Sequence, residues 1–424
     1  MQFKHKLSYI ANRGMLVTVV LLGMASINLV QGNPWATKAN MPTPRGLLST
    51  SVVDGIIYAI GGGSGPYSNF SIVEAYDPKT DTWTTKANMP TPRANVSTCV
   101  VDGIIYAIGG GWAPALSTVE AYDPVTDTWT TKTPMLTPRT ALSTSAVNGI
   151  IYAIGGAPDA QTGLAIVEAY DPVTDTWTTK TPMPTRRTVS STSVVDGIIY
   201  AIGGGVTFAP GASTLRTVEA YDPVANTWTK KADMSTSRAV SASVIDGMIY
   251  AIGGVAYGGG PGLSTVEAYD PITNTWTKKT DMPTPRKFLS CSAVDGKIYA
   301  VGGVNSAGQA LVTVEEYDPS FESSTGVEER FGSTDKPLGY ALSQNYPNPF
   351  NPATTIEFAL PRSAYVTLKI YNQRGEEAAT LVAEKRSAGI HRLHWDAGEF
   401  NGGVYLYRLR TEDFIQCKKL ILLR

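Results

Sequence analysis

Histidine, cysteine and charged residues are all scarce in this sequence of 424 residues. Only 17% of the residues are charged, and the formal net charge is −1. Such a chain lacks the basic surplus that binds nucleic-acid phosphates or an anionic membrane surface, so we expect neither partner. The three cysteines, Cys99, Cys291 and Cys417, are too few for a disulfide framework, and we expect lone thiols.

Histidine is missing from the whole central part of the chain, between residues 33 and 319. His5 precedes this part, and His391 and His394 follow it. The central part therefore has no histidine to act as a general base. Helical periodicity is also hard to find, whereas glycine, proline, serine, threonine, valine and isoleucine are plentiful. This composition predicts short strands joined by tight turns.

The first residues of the chain form a separate segment. Basic residues up to Arg13 precede an apolar run over residues 15–30, which is typical of a secretory signal peptide over residues 1–32. Cleavage is expected after Gly32 or Ala25. A membrane anchor is the alternative, but spanning a bilayer takes roughly 20 apolar residues, and this run is shorter and interrupted by polar residues.

A unit of 46 to 50 residues repeats in the middle of the chain and gives six copies. Each copy contains a Gly-Gly pair, which begins at residues 61, 109, 155, 203, 253 and 302. In the first copy, Asp54-Gly55 separates two runs of strand-forming residues and predicts a two-residue hairpin. Two further strands are predicted over residues 73–78 and from Trp83. Each copy thus predicts four antiparallel strands, the pattern of one propeller blade.

Aromatic residues recur at fixed places in the copies and predict packing between neighbouring sheets. The sixth copy ends at residues 317–319, before it reaches a tryptophan strand, whereas residues 33–38 around Trp35 form a tryptophan strand with no blade before it. We infer that this N-terminal strand completes the sixth blade, because pairing the two ends removes an open sheet edge. The sequence therefore predicts an all-β fold with six blades over residues 33–319.

The Gly-Gly pairs, the Tyr-Asp-Pro-x-Thr-Asp/Asn-Thr-Trp segments and the Met-Pro-Thr-Pro-Arg links resemble the kelch repeat. The resemblance covers about residues 33–319 and implies a six-bladed kelch β-propeller, an architecture shared with galactose oxidase. The sequence departs from those copper-dependent oxidases, whose metal is held by histidines and tyrosines beside a Tyr-Cys crosslink. We expect the Asp and Thr side chains of the turns to bond to the turn backbone rather than to bind calcium. We therefore expect no metal and no cofactor.

The loops between the second and third strands differ most between copies, and variable loops on a fixed scaffold are the usual place of recognition. They contain one acidic residue, Asp159, and one basic residue, Arg216. Glycoside cleavage normally needs two facing carboxylates, so we expect no enzyme site there. The alternative for the aromatic rings in these loops is packing onto their own loops. The candidate ligand-binding residues are Tyr67, Phe70, Trp112, Phe208, Arg216 and Tyr257.

A second set of candidates is one arginine in each copy, expected near one mouth of the channel. Six guanidinium groups in such a place could hold an anion. One glutamate also recurs in each copy, at residues 74, 120, 168, 219, 267 and 315, so a ring of structural ion pairs is the other interpretation. These channel-mouth arginines are Arg45, Arg93, Arg139, Arg187, Arg238 and Arg286.

Residues 320–340 are polar and unpatterned, and they predict a linker. A second β-rich unit follows over residues 341–424. Its Asn-Tyr-Pro-Asn-Pro-Phe-Asn-Pro run over residues 345–352 and its closing Lys-Lys-Leu resemble the type A C-terminal sorting domain of the type IX (Por) secretion system. The resemblance implies a small immunoglobulin-like β-sandwich, recognition by an outer-membrane translocon, and removal by a sortase. Ala397, where the family usually has glycine, is one departure. His391 and His394 are expected on opposite faces of a strand, which disfavours a metal pair.

Three functions remain open from the sequence. The first is a monomeric secreted or cell-surface module, from a Gram-negative-type bacterium, that binds a glycan or a surface protein through the loop face. The second is a sugar epimerase or mutarotase of the sialic-acid type, since some kelch propellers act on such sugars and an anion-holding arginine would matter there. The third is a structural or adhesive envelope protein without a discrete ligand. We favour the first, and we expect no enzymatic activity.

Overall fold

The computed structural model describes residues 33–65, 68–112, 114–159, 163–188, 191–207, 212–256, 259–323, 340–345, 347–372 and 374–423. The chain divides into two compact units between residues 326 and 327. The expected signal peptide over residues 1–32 and the candidates Tyr67, Phe208 and Tyr257 lie outside the described residues. Among the described residues, no helix has the length and apolar character needed to cross a membrane.

The first unit consists of six four-stranded antiparallel sheets, the blades. It begins with β1 (Trp35–Thr37). Blade 1 contains β2 (Ser49–Val53), β3 (Ile56–Ile60), β4 (Val73–Asp77) and β5 (Thr82–Lys86). Blade 2 contains β6 (Ser97–Val101), β7 (Ile104–Ile108), β8 (Val119–Asp123) and β9 (Thr128–Lys132). Blade 3 contains β10 (Ser143–Val147), β11 (Ile150–Ile154), β12 (Val167–Asp171) and β13 (Thr176–Lys180).

The remaining blades repeat this order. Blade 4 contains β14 (Ser191–Val195), β15 (Ile198–Ile202), β16 (Val218–Asp222) and β17 (Thr227–Lys230). Blade 5 contains β18 (Ala239–Ile245), β19 (Met248–Val255), β20 (Val266–Asp270) and β21 (Thr275–Lys279). Blade 6 contains β22 (Ser290–Val294), β23 (Lys297–Val301) and β24 (Val314–Tyr317), and its fourth strand is β1. The prediction of a six-bladed propeller is confirmed.

Local sequence fixes the hairpins and strand ends of each blade. Asp54 and Gly55 have φ angles of 50° and 77°, as a type I′ turn requires, and they join β2 to β3. At the end of β3, Gly61 and Gly62 also have positive φ. A Cβ on Gly61 would lie 2.5 Å from the carbonyl oxygen of Arg93. Glycine is therefore required where the strand end meets the link to the next blade.

Apolar side chains fill the space between neighbouring blades. The tyrosines of the third strands are fully buried, and the ring of Tyr122 in blade 2 lies 5.9 Å from the ring of Tyr58 in blade 1. Burying side chains of this kind contributes roughly 1.5–3 kcal/mol each. A single blade has two apolar faces, so only stacking in a ring buries both of them.

Hydrogen bonds from the tryptophan strand hold each blade to the previous one. The indole N–H of Trp83 donates to the carbonyl oxygen of Ala39 at 2.9 Å, and the N–H of Ala39 donates to Asp81 Oδ1 at 2.8 Å. The hydroxyl of Tyr76 donates to the same Asp81 oxygen at 2.6 Å. This arrangement recurs around the ring with Trp129, Trp177, Trp228 and Trp276. The recurring Asp or Asn and Trp residues thus have a structural role.

The ring closes where β1 pairs with β24, and Trp35 lies opposite Tyr317. Next to this pair, on β24, blade 6 differs from the other blades in one residue. Glu316 stands where the other copies have alanine. Glu316 is 5% exposed and its carboxylate is 2.9 Å from Lys38 Nζ and 2.7 Å from Lys297 Nζ. It also accepts a hydrogen bond from the hydroxyl of Tyr299 at 2.8 Å. We call Glu316, Lys38, Lys297 and Tyr299 the closure cluster.

A one-turn helix, α1 (Ser320–Ser323), begins the segment expected to be a linker. The second unit then contains β25 (Ala341–Leu342), β26 (Ala353–Leu360), β27 (Ala364–Tyr371), β28 (Glu377–Arg386), β29 (Gly389–Asp396), β30 (Gly403–Arg410) and β31 (Ile415–Leu422). They form a three-stranded sheet, β25-β26-β29, and a four-stranded sheet, β28-β27-β30-β31. One core that includes Phe350, Leu368 and Trp395 joins the two sheets.

On β29, His391 and His394 lie on opposite faces. The His391 ring stacks on Phe358, with the ring centres 5.1 Å apart, while His394 is exposed. Nε2 of His391 is 2.9 Å from the carbonyl oxygen of Ser387. The two histidines therefore do not approach a common point.

Candidate functional site

The variable loops and the proline-rich links meet at one end of the propeller. The N–H of Met89, in the link after blade 1, donates to the carbonyl oxygen of Ser71 at 2.8 Å. The N–H of Arg93 donates to the carbonyl oxygen of Phe70 at 3.1 Å. Both partners belong to the loop between β3 and β4. We call this end of the propeller the loop face. It also includes the links that lead into the first strand of each blade.

A cavity of about 150 Å³ opens at the centre of this face, and we call it the mouth cavity. The lining residues come from all six blades, and all but Gly254, near the end of β19, lie close to the start of the first strand of their blade. The apolar part of the lining includes Leu47, Leu48, Val96, Ala141, Leu142, Val240, Phe288 and Leu289. No lining residue that the structure describes carries a charge. The mouth cavity therefore fits an uncharged group.

One serine from each blade also lines the mouth cavity. Ser49 Oγ accepts the N–H of Thr98 in the next blade at 3.0 Å, and Ser97 Oγ accepts the N–H of Thr144 at 2.9 Å. The same bond recurs from Ala242 to Ser191, from Cys291 to Ser241 and from Thr50 to Ser290. The serines of this ring are Ser49, Ser97, Ser143, Ser191, Ser241 and Ser290. They bind neighbouring blades together and present hydroxyl groups to the mouth cavity.

The direction of the hydrogen bonds around Ser49 determines what its hydroxyl offers. Ser51 Oγ donates to Thr98 Oγ1 at 2.8 Å, and Thr98 Oγ1 donates to Ser49 Oγ at 2.9 Å. Ser49 Oγ therefore accepts two hydrogen bonds, one from the N–H and one from the hydroxyl of Thr98. Its own proton has no acceptor among the described residues. The mouth cavity thus offers a hydroxyl donor beside an apolar wall.

Strained backbone surrounds the mouth cavity. Leu47, Asn95, Ala141 and Phe288 occupy equivalent places in four copies and have φ angles of 50–57°. Such angles are rare for residues other than glycine and cost of order 1–3 kcal/mol each. They allow a chain of hydrogen bonds between blades, in which the N–H of Leu47 donates to Phe288 and the N–H of Asn95 donates to Leu47, both at 2.9 Å. These hydrogen bonds link the backbones of neighbouring blades around the mouth cavity.

The six arginines do not face the channel. Each is 0% exposed and pairs with the recurring glutamate of its own blade. In blade 3, Arg139 Nη2 is 2.8 Å from Glu168 Oε2, and Nη1 donates to the carbonyl oxygen of Gly155 at 2.9 Å. Burial lowers the pKa of Arg45 to about 10, although Glu74 opposes the shift, so the guanidinium is charged at neutral pH. Of the two interpretations, the geometry matches the ring of structural ion pairs.

The loop candidates that the structure describes are in two different situations. Phe70 and Trp112 are partly buried. The side chain of Arg216 is 63% exposed and lies 3.4 Å from Asp233 in an ion pair. None of the three lines the mouth cavity. Sequence reasoning missed the serine ring, whose signal was a serine at the same place in every copy.

The thiols and turns of the propeller have structural surroundings. Cys99 and Cys291 are buried and unpaired, and burial raises their pKa values to about 12 and about 11. In the turn after β4, Asp77 Oδ1 accepts the N–H of Lys79 at 2.9 Å, as turn chemistry predicts. Among the described residues, no group of three or more His, Cys, Asp or Glu side chains is arranged to hold a metal ion.

The comparisons with known proteins agree with this geometry. The model of the KLHDC2/KLHL20/DRC7 Kelch-repeats domain matches residues 19–156 and 131–303, which is more than half of the chain. The chain belongs to the kelch-repeat family. A Kelch motif model also matches residues 285–325 of the kelch propeller. The predicted resemblance to the kelch repeat is confirmed.

The second unit matches the Secretion system C-terminal sorting domain over residues 344–423, which confirms the predicted resemblance to the Por sorting domain. This domain indicates type IX secretion, and therefore a secreted or cell-surface protein that interacts with the type IX machinery.

Among solved structures, the one titled "Structure of YjhT" has a TM-score of 0.57 and 16% identity. The match covers 65% of this chain and 95% of that one, and it shows a shared fold alone. No curated protein matches this sequence.

Proposed function

We propose that the kelch propeller is a secreted or cell-surface binding module whose ligand, a glycan or a surface protein, inserts an uncharged group into the mouth cavity. The observation that carries the proposal is the lining, which combines an apolar wall with a ring of serines. The hydroxyl of Ser49 offers a donor, so the inserted group should combine an apolar side with an acceptor oxygen. Sugar rings and neutral side chains both have this character.

We also propose that the propeller binds this ligand without transforming it. General acid–base catalysis requires a titratable side chain within hydrogen-bond reach of the reacting group. The described lining of the mouth cavity has none. The epimerase alternative would need an arginine that reaches a substrate, and the buried arginine ion pairs do not support it.

The experiment is a binding screen of neutral glycans, anionic glycans and purified surface proteins against the full chain. One variant, Ala141→Phe, should fill the mouth cavity without new strain, because blade 6 has Phe288 at the equivalent place with a φ of 57°. We expect this variant to lose binding by at least about tenfold, a loss of roughly 1.4 kcal/mol in binding free energy. The matched control is Val125→Phe, on an outer turn where Val125 is 89% exposed.

The proposal is supported if neutral ligands bind the unmodified chain and the Val125→Phe variant but not the Ala141→Phe variant. A Trp112→Ala variant, tested in parallel, shows how far the loop aromatics extend the same surface. The proposal is wrong if no member of the screen binds, as a structural envelope protein would behave, or if Ala141→Phe binds as well as the unmodified chain.

A further inference from the structure

The sorting domain has a groove on the outer face of its four-stranded sheet. The groove has a volume of about 630 Å³, within the range of ligand pockets in proteins. It lies over β27 and β30, and its lining includes Tyr365, Lys369, Arg408, Arg410 and Thr411. This sheet is one of two that share the core of the domain, so its outer face is not needed for internal packing.

Strand register places an excess of positive charge on this face. Lys369 lies opposite Arg408, and Thr367 lies opposite Arg410, so these side chains share one side of the sheet. The same register places Lys385 beside Tyr365 and Lys419 beside Leu406. The acidic residues are Glu377, which pairs with Lys369 at 2.7 Å, and Glu412, at one end of the groove. Basic residues therefore outnumber acidic ones across the face.

The two arginines of the groove are available to a partner. The guanidinium of Arg408 lies over the Tyr371 ring, 4.5 Å from its centre, and bonds to the hydroxyl of that tyrosine. This contact orients the guanidinium without neutralising its charge. Arg410 is exposed and forms no ion pair with any residue that the structure describes. Tyr365, at 60% exposure, adds an aromatic surface beside them.

We propose that this groove binds an acidic segment of a protein partner, with a carboxylate held by Arg408 and Arg410. Guanidinium groups match carboxylates in geometry, and arginine and tyrosine are enriched among the residues that dominate binding at protein interfaces. A concave groove suits a peptide segment better than the flat surface of a membrane. The proposal concerns the sorting domain and does not depend on the ligand of the mouth cavity.

The test uses the full chain and a fluorescent ten-residue oligoglutamate peptide, with binding followed by fluorescence anisotropy. We expect the double variant Arg408→Glu, Arg410→Glu to weaken binding by at least about tenfold. The matched control is Arg392→Glu, an exposed arginine on the outer face of the other sheet, and it should change binding less than about twofold. Glu412→Gln should strengthen binding, because it removes a negative charge from the groove.

The proposal is overturned if the peptide does not bind, or if Arg392→Glu weakens binding as much as the groove variants do. It is also overturned if phosphatidylcholine vesicles with about 30% phosphatidylglycerol bind through the groove arginines while the peptide does not.

Discussion

Removal of the Glu316 carboxylate tests how the propeller holds its two chain ends together. Glu316→Ala restores the residue of the other five copies but leaves Lys38, Lys297 and the Tyr299 hydroxyl without their shared acceptor. The Tyr299 side chain is buried, and losing its acceptor costs about 1–3 kcal/mol. The lysine side chains are 22% and 37% exposed, so each of their ion pairs adds at most about 1 kcal/mol. We expect a total loss of about 2–4 kcal/mol.

The assay is denaturant and thermal unfolding of the full chain, followed by tryptophan fluorescence. For a unit of this size the loss corresponds to a fall in Tm of about 4–8 °C. Asp281→Ala is the control within the same propeller, because Asp281 is 44% exposed and 3.8 Å from Lys278; it should cost less than about 1 kcal/mol. The double variant Lys297→Ile, Glu316→Ala removes both unusual charges and should recover part of the loss.

The closure cluster also predicts a pH dependence. Burial alone would raise the pKa of Glu316, but hydrogen bonds from Lys297, Lys38 and Tyr299 outweigh it and hold the pKa below its ordinary value of 4.5. A carboxylate with a lowered folded-state pKa stabilises the fold above its unfolded-state pKa, and the contribution is lost as pH falls through the folded-state value. The stability difference between the unmodified chain and Glu316→Ala should therefore shrink below about pH 4.5. Equal stability of the two proteins at pH 7 would refute the reasoning.

Two further predictions concern buried groups of the propeller. Arg139→Met leaves the Glu168 carboxylate buried without its partner, so denaturant unfolding should show that the free energy of unfolding falls by roughly 3–5 kcal/mol. A second change, Glu168→Leu, should restore most of it. A fall of less than about 1 kcal/mol would contradict the buried ion pair. In thiol titration of the native chain, Cys417 should react at once, whereas Cys99 and Cys291 should react only after unfolding, because they are buried and their pKa values are raised. Fast reaction of more than one thiol would contradict their burial.

The repeat made the fold predictable from the sequence. Its period and its Asp-Gly turns predict the four-stranded blades, and the Trp35 strand ahead of the first blade predicts how the ring closes. In the sorting domain, β28 (Glu377–Arg386) is a strand that local sequence preference does not predict. Its ten residues include three alanines, two glutamates, one leucine, one lysine and one arginine, which favour helices in isolation. It forms a strand because it pairs with β27, and such pairing depends on tertiary structure.

The candidate site was harder to predict than the fold. The sequence directed attention to the variable loops, yet the described cavity is lined by residues of the repeat itself, such as Ser49 and Leu48. These residues line one cavity only because the ring is closed. Ser49 and Ser290 lie far apart in the sequence and come close only when six blades surround an axis. The arginines can be fully buried because glutamates of the third strands and backbone carbonyl groups satisfy their charge.

The most direct test of the central claim is the salt dependence of the affinity for the tightest ligand of the propeller. A ligand group held by apolar contact and serine hydroxyls exchanges no charge, so the Kd should stay within about twofold between about 50 mM and about 500 mM salt. A Kd that rises by tenfold or more over this range would show that ion pairs hold the ligand, and it would contradict binding of an uncharged group in the mouth cavity.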